Sequence, residues 1–252
     1  MEECAEDNSR AKQRERLRMW ALLDEAGVST PPGPRGIPEF EGTEQAAERL
    51  ASLPEWKRAG IIKVNPDRAQ QPVRARALAE GKLVYMAVPK LAADHPFVLL
   101  DPSRLSVPCD VAARKHEALR EGEPAHLADM PPIELVVVGS VAVSRSGARL
   151  GKGAGYTDIE LGLLTDARLV DAETPVATTV HDLQVVEGPV PRRRFDFEVS
   201  VIVTPTAVLR VPSPQPSPGI VRGDLDPRAV AEIPVLASRY GVRDADSGAM
   251  LL

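Results

Sequence analysis

Residues 133–143, IELVVVGSVAV, followed at 147–160 by GARLGKGAGYTDIE, decide how the rest of the chain is read. The "LVVV" run is apolar on both faces of an extended strand, as a strand covered by helices on both sides requires. The glycine-rich stretch then leads into a helical pattern. Closely spaced glycines let backbone N–H groups approach phosphate oxygens with no side chain between them. A helix N-terminus beyond them adds partial positive charge. Arg149 and Lys152 would add formal charge, and Asp158 could hold a Mg2+ ion bridging phosphate oxygens. The loop is not a Walker A motif, because no Gly-Lys-Ser/Thr follows, and its G-x-G-x-G spacing is not the dinucleotide fingerprint. On glycine content alone, a phosphate cradle and a mobile turn stand equally open.

Outward from this centre, further β-branched runs bounded by Gly, Pro or Asp read as strands: GIIKV (60–64), LVYMAV (83–88), VATTVHDLQVV (176–186) and FEVSVIVT (197–204). Helix-like stretches separate them: QPVRARALAEG (71–81), DVAARKHEALREG (110–122), with Asp110 as cap and Gly122 as stop, and TDIELGLLTDA (157–167). Before them, a basic amphipathic helix over 10–27 has Leu17, Trp20 and Ala21 on its apolar side and stops at Gly27. A second helix follows, with Thr43 as N-cap and Ala47, Leu50 and Ala51 on one face. Strands alternating with helices predict an α/β fold, three layers deep, around a mostly parallel sheet. The predicted domain covers 8–210. A Pro/Ser-rich linker over 211–223 follows, then a short appendage over 224–252, expected to be in part disordered. In the appendage Asp226 caps a helix, Pro227 sits in its first turn, and Pro234 ends or kinks it.

Composition excludes several classes of function. The net charge is −5 and the pI about 5.5, so no strong nucleic-acid signal is present. The longest apolar run, LVVVGSVAV at 135–143, is about half of the roughly 20 residues a spanning helix needs, so no membrane association is expected. The N-terminus lacks a signal peptide's apolar core, and a cytoplasmic protein is expected. Cys4 and Cys109 match neither a disulfide framework nor a zinc site and read as free thiols. His95, His116 and His126 lack ligand spacing, and the arginines at 192–194 read as a solvated turn. His181 and Asp182, as strand neighbours, would point to opposite faces. Trp20 and Trp56 read as core anchors. On spacing alone, Lys12 and Arg16 are the polar face of a surface helix.

The residues flanking the glycines bear on the choice between cradle and turn. R-L-G-K-G-A-G-Y-T-D (149–158) resembles the R-x-G-x-G-x-G-Y-Y-D signature of the 5-formyltetrahydrofolate cyclo-ligase family. AKQRERLRMW is similar to the family's N-terminal basic helix, with Lys12 and Arg16 at its K-x-x-x-R spacing. GKLVYMAVPKL and FDFEVSVIVTP resemble two of its strands, the second carrying Asp196 and Thr204, and Gln184 fits the glutamine before it. GIPEFEGTEQAAERL and IIKVNPDRAQQPVR look like the divergent branch, the methenyltetrahydrofolate synthetase domain-containing proteins.

The resemblance implies the fold stated above and an ATP- and Mg2+-dependent cyclo-ligase. Such an enzyme converts 5-formyltetrahydrofolate to 5,10-methenyltetrahydrofolate through an iminophosphate, with a reduced folate or a related metabolite as its small-molecule partner. It implies catalytic roles for Arg149, Lys152 and Tyr156, and ATP binding by Lys12, Arg16 and the loop Gly151, Lys152, Gly153, Ala154, Gly155 and Tyr156. Asp158 is the implied metal ligand, and Gln71 and Val143 fall at substrate positions. Three departures fall at or beside those positions. Thr157 stands for a second tyrosine, Gln71 for a glutamate, and Val143–Ser144 for an aromatic–acid pair. They leave open a different formamide-like substrate, such as a thiamine-related metabolite, or a catalytically silent nucleotide-binding module.

Overall fold

The computed structural model describes residues 2–30, 36–193 and 196–240. The segment 31–35, Arg194, the tail from 241 and the side chain of Cys4 lie outside the described residues. In chain order come α1 (Glu2–Glu25), α2 (Thr43–Ala51), α3 (Pro54–Arg58), β1 (Ile61–Val64), α4 (Gln71–Ala79), β2 (Leu83–Ala87) and β3 (Phe97–Leu100). Then follow α5 (Cys109–Ala112), α6 (Lys115–Glu121), β4 (Glu123–Ala125), β5 (Leu135–Val138), β6 (Ala142–Ser144), β7 (Arg149–Leu150) and α7 (Tyr156–Asp166). The chain continues with β8 (Val176–Thr179), β9 (Val185–Val186), β10 (Val201–Val203), β11 (Val208–Arg210), α8 (Pro227–Glu232) and α9 (Pro234–Tyr240).

Eight strands form one sheet in the order β11-β10-β8-β5-β1-β2-β3-β4. The centre, from β10 to β2, is parallel, and β11, β3 and β4 add antiparallel edges. The sheet is therefore mostly parallel, as its doubly apolar strands require. Alternate residues separate two cores. Ile62, Val64, Met86 and Val137 pack with Leu50, Trp56, Val73 and Leu78 of α2–α4. Tyr85, Val136, Val138 and Ile202 pack with Leu161, Leu163 and Leu164 of α7. Ile233 and Leu236, in the segment after the Pro-rich stretch, belong to this second core. A small sheet, β7-β6-β9, sits apart, and Met19, Trp20 and Leu23 of α1 pack on it.

Local expectations change in five places. Helix α2 is capped by Gly42 rather than Thr43. Gly42 adopts φ +95°, and a Cβ there would lie 2.6 Å from the Pro205 ring. The predicted helix 110–122 is two helices, because the buried Arg74 Nε donates to the Ala113 carbonyl at 2.9 Å and Arg114 is extended. Asp110 lies inside the first turn of α5, behind Pro108 at the cap. Gly122 does end α6, in extended backbone (φ −74°), where a Cβ would meet the Ala118 carbonyl at 2.6 Å. The runs 133–143 and 176–186 each break into two strands that serve different sheets. Within 197–204 only Val201–Val203 is strand. On α1, Leu17 and Ala21 are exposed, and the buried face is Arg16, Met19, Trp20 and Leu23.

Candidate functional site

Strand β1 leads to β2 on one side, while its other neighbour, β5, arrives later in the chain. Such a switch in strand order leaves a crevice beyond the carboxyl ends of the strands, where open α/β sheets bind ligands. After β5 the chain crosses Gly139–Val141, forms the β6–β7 hairpin and enters the loop 151–155 before α7. Gly153 (φ +105°) and Gly155 (φ +72°) take conformations that other residues resist. Gly155 is the N-cap of α7. The loop, Tyr156, Thr157 and Asp158 line a cavity of about 350 Å³, so the positive end of the α7 dipole opens on it.

Five cations line this cavity: Lys12, Arg16, Arg149, Lys152 and Arg193, the last of which the sequence places in a solvated turn. Arg149 on β7 is buried, with its guanidinium 4.5 Å from the Phe197 ring centroid. Its Nη2 donates to Asp158 Oδ1 at 3.1 Å and its Nη1 to the Gly139 carbonyl at 3.4 Å. Lys152, on the loop, pairs with Asp67 at 3.0 Å. From α1, Arg16 Nε donates to the Gly151 carbonyl at 2.7 Å, and Lys12 pairs with Asp196. Burial lowers the pKa of Arg16, and the nearby charge of Arg193 lowers it further. Arg16 also packs close under the loop, since a Cβ on Gly153 would stand 3.2 Å from its Cζ.

A polyphosphate fits these residues. Arg149 Nε is buried without an acceptor, and the cations converge on a glycine cradle at a helix N-terminus, a ready-made anion site. For a metal, Asp158 lines the cavity beside the glycine loop with its side chain 30% exposed, while Asp196, also in the lining, is paired with Lys12. Among the described residues no group of three or more His, Cys, Asp or Glu is placed to hold an ion. A metal here would draw its other ligands from phosphate oxygens and water, as Mg2+ commonly does.

The floor beneath the loop is charged and buried, which sequence reading missed. Lys63 of β1 donates to Glu160 of α7 and to Asn65 Oδ1, both at 2.5 Å. Asn65 Nδ2 donates to Thr157 Oγ1 at 3.0 Å. Arg74, wholly buried in α4, donates through Nη1 to the carbonyls of Asn65 (2.5 Å) and Asp67 (3.0 Å). Burial pushes its pKa down to about 10. Arg74 thus braces the β1–α4 loop that carries Asp67. The available signals were a lysine inside GIIKV and an arginine on the buried side of QPVRARALA.

The structure brings Lys12, Arg16, Arg149, Gly151–Tyr156 and Asp158 together around the cavity; Gln71 and Val143 are not among its lining residues. Gln71 is half-buried at the start of α4. Val143 is fully buried in the α7-side core. Gln70 is the buried neighbour, donating to the Thr179 carbonyl at 3.2 Å and Oγ1 at 3.0 Å, with its Oε1 unpaired. Ser144 bonds Ser146 within the hairpin at 2.8 Å. His181 and Asp182 lie on a 3-10 turn, not a strand, and the His181 ring accepts from the Leu183 N–H at 3.2 Å. The His95 and His126 rings meet edge to face at 6.1 Å, and His116 is exposed on α6. Cys109 is a half-buried free thiol. Trp56 is core, its Nε1 donating to Glu80 at 2.7 Å. Among the described residues no helix is long and apolar enough to cross a membrane.

Residues 8–205 match the model of the 5-formyltetrahydrofolate cyclo-ligase family. The methenyltetrahydrofolate synthase domain-containing protein of Bos taurus is 33% identical over 233 residues, covering 90% of this chain and 61% of its own length. That of Mus musculus is 34% identical over 231 residues, covering 90% and 62%. The chain thus spans about three fifths of the length of these relatives. Among solved structures, the 5,10-methenyltetrahydrofolate synthetase of Aquifex aeolicus superposes with a TM-score of 0.50 at 24% identity, covering 81% of this chain and 93% of that one. The fold is shared.

Proposed function

The chain belongs to the 5-formyltetrahydrofolate cyclo-ligase family, and we propose that it closes 5-formyltetrahydrofolate to 5,10-methenyltetrahydrofolate with ATP and Mg2+. The observation that carries this reading is the convergence of Arg16, Arg149 and Lys152 on a glycine loop at the N-terminus of α7. ATP supplies the phosphoryl group that makes the formyl oxygen a leaving group. N10 then closes on the formyl carbon, loses its proton, and the oxygen departs with phosphate. The chain's residues have mainly to position the reactants and neutralise charge.

In the ligand-bound site Arg149 and Lys152 exchange Asp158 and Asp67 for phosphate oxygens. The loop N–H groups and the α7 dipole hold the remaining charge. Asp158, released from Arg149, would be the residue that holds the metal, which would neutralise phosphate charge there. Arg16, fixed to the Gly151 carbonyl, keeps the loop in shape, and Tyr156 stands at the first position of α7 between phosphate and substrate. A second reading keeps this phosphate chemistry and changes the other substrate to a different formamide-like metabolite. It is favoured by Val143, sealed in the core where the family carries an aromatic, and by Gln71, outside the cavity lining.

The test follows phosphate release from Mg·ATP together with methenyltetrahydrofolate absorbance, with and without 5-formyltetrahydrofolate and with Asp158→Ala as control. Both signals rise together and are lost in the variant if the first reading holds. ATP binding with neither signal overturns the folate assignment and directs the search to other formamides. Absence of ATP binding overturns both readings and leaves a silent module.

A further inference from the structure

The same cavity has a second wall that lies outside the family-matched span 8–205. Ile220, Val221, Leu225 and Ala229 line it from the C-terminal segment, opposite Tyr156 and Ile159 of α7. The phosphate side is cationic, whereas this end is apolar apart from Asp226, whose carboxylate accepts from the Arg228 N–H at 2.9 Å and caps α8. Ile159, Ile220, Leu225 and Ala229 are only partly buried, packed on the core while lining the cavity.

The segment is fixed rather than draped. Glycine at 162 lets the chain pass close to α7, since a Cβ there would lie 2.8 Å from Ile220 Cδ1 and 3.2 Å from the Gly219 backbone. Gly219 turns at φ +81°, where a Cβ would meet Asp166 Oδ1 at 2.2 Å. Asp166 receives the Ile220 N–H at 3.3 Å and the Tyr240 hydroxyl at 2.5 Å. Ile233 and Leu236 anchor the far end in the core.

We infer that the segment 220–229 forms the subsite for the planar ring of the nucleotide, with its phosphates directed to the glycine loop. The inference rests on the phosphate-site reading and names the element that selects the base. A flat ring buries well between β-branched and small side chains. Asp226 repels a phosphate at this end, so the charge distribution along the cavity orients the ligand one way only.

The test compares ATP with inorganic tripolyphosphate, which has the phosphates and no ring, by calorimetry on the full chain. Ala229→Trp fills the ring end. It is expected to weaken ATP at least about tenfold and leave tripolyphosphate within about twofold, the loss of a ring contact without loss of charge. Leu225→Ala, a milder change for use if the tryptophan variant does not fold, is expected to weaken ATP alone by about threefold. Unchanged ATP affinity in a folded variant overturns the inference, as does an equal loss of both ligands. Wild-type protein that binds tripolyphosphate as tightly as ATP overturns it too while the phosphate site stands. Wild-type protein that binds neither overturns the phosphate site and the inference together.

Discussion

At the glycine-loop corner of the sheet, Arg149, Lys152 and Lys12 each lean on a carboxylate: Asp158, Asp67 and Asp196. At the corner beyond β8, Gln184, His181, Asp182 and Thr204 bond hydroxyls and backbone groups instead. Gln184 Nε2 donates to the carbonyls of Ser140 (2.9 Å) and Val141 (3.0 Å), and its Oε1 accepts the His181 N–H at 2.7 Å. Thr204 and Thr206 both donate to Asp182 Oδ1 at 2.5 Å. Both corners offer suggestive residues in the sequence, yet only the first has something to exchange. An accessible ion pair is worth about 0–1 kcal/mol, whereas a hydrogen bond to a charged group is worth about 1.5–3 kcal/mol. Opening the half-exposed Lys152–Asp67 pair therefore costs little, and a phosphate restores a charged hydrogen bond to the lysine. Breaking the Gln184 set leaves buried backbone carbonyls unpaired and gains nothing.

The strongest way to break this contrast lies beneath the loop, where charge is buried and cannot exchange. Lys63→Met leaves Glu160 without its cation in the core and is expected to cost about 3–5 kcal/mol of folding stability in urea unfolding. Lys63→Met with Glu160→Leu should recover most of it, because two apolar residues leave no uncompensated charge. Equal stability of the single and double variants would show that the pair is not coupled.

At the exchangeable layer the effect moves from stability to turnover. Lys152→Ala is expected to lower cyclo-ligase turnover by about 100- to 1000-fold, the typical cost of one transition-state charge contact. Its stability should change by less than about 1 kcal/mol, since Lys152 is 39% exposed in its pair with Asp67. Gln184→Ala should do the reverse, losing about 2–3 kcal/mol of stability with turnover per folded molecule nearly intact. A Gln184→Ala protein that is stable and inactive would place chemistry at the second corner and end the contrast.

The sequence makes the loop cations and Asp158 legible and hides the pairing of Lys152 and Lys12. Arg149, Lys152 and Asp158 fall within ten residues, and one glycine motif gathers them. Asp67 and Asp196 come from the loop after β1 and the segment before β10, so no local pattern links them to the site. The central strands were legible because burial on both faces demands unbroken apolar runs, as in 135–138. The edge strands β3, β4 and β11 carry no such signal: they are three or four residues long, and Pro124 sits inside β4. The breaks in 133–143 and 176–186 were hidden because the apolar character continues while the chain changes sheets. Nothing local marks Lys63 inside its strand, because its partner, Glu160, lies 97 residues away.

The smallest effect concerns the tie between the glycine-loop corner and the C-terminal segment. Burial, and then the hydrogen bond to Asp166, push the Tyr240 phenol up to about 12, against about 10 for an unfolded tyrosine. A phenol whose pKa is raised by folding lends its stability in full below about pH 10 and loses it as pH climbs through about 12. Alkaline difference spectra should therefore show Tyr240 ionising late among the three tyrosines, with Tyr85 also delayed by burial. Tyr240→Phe should remove one late phase and flatten the loss of stability across that window. If the phenol lost in Tyr240→Phe is instead one that ionises at about pH 10, Asp166 does not hold it. The wall at Ile220 would then depend on Gly162, Gly219 and the buried Ile233 and Leu236 for its position beside α7.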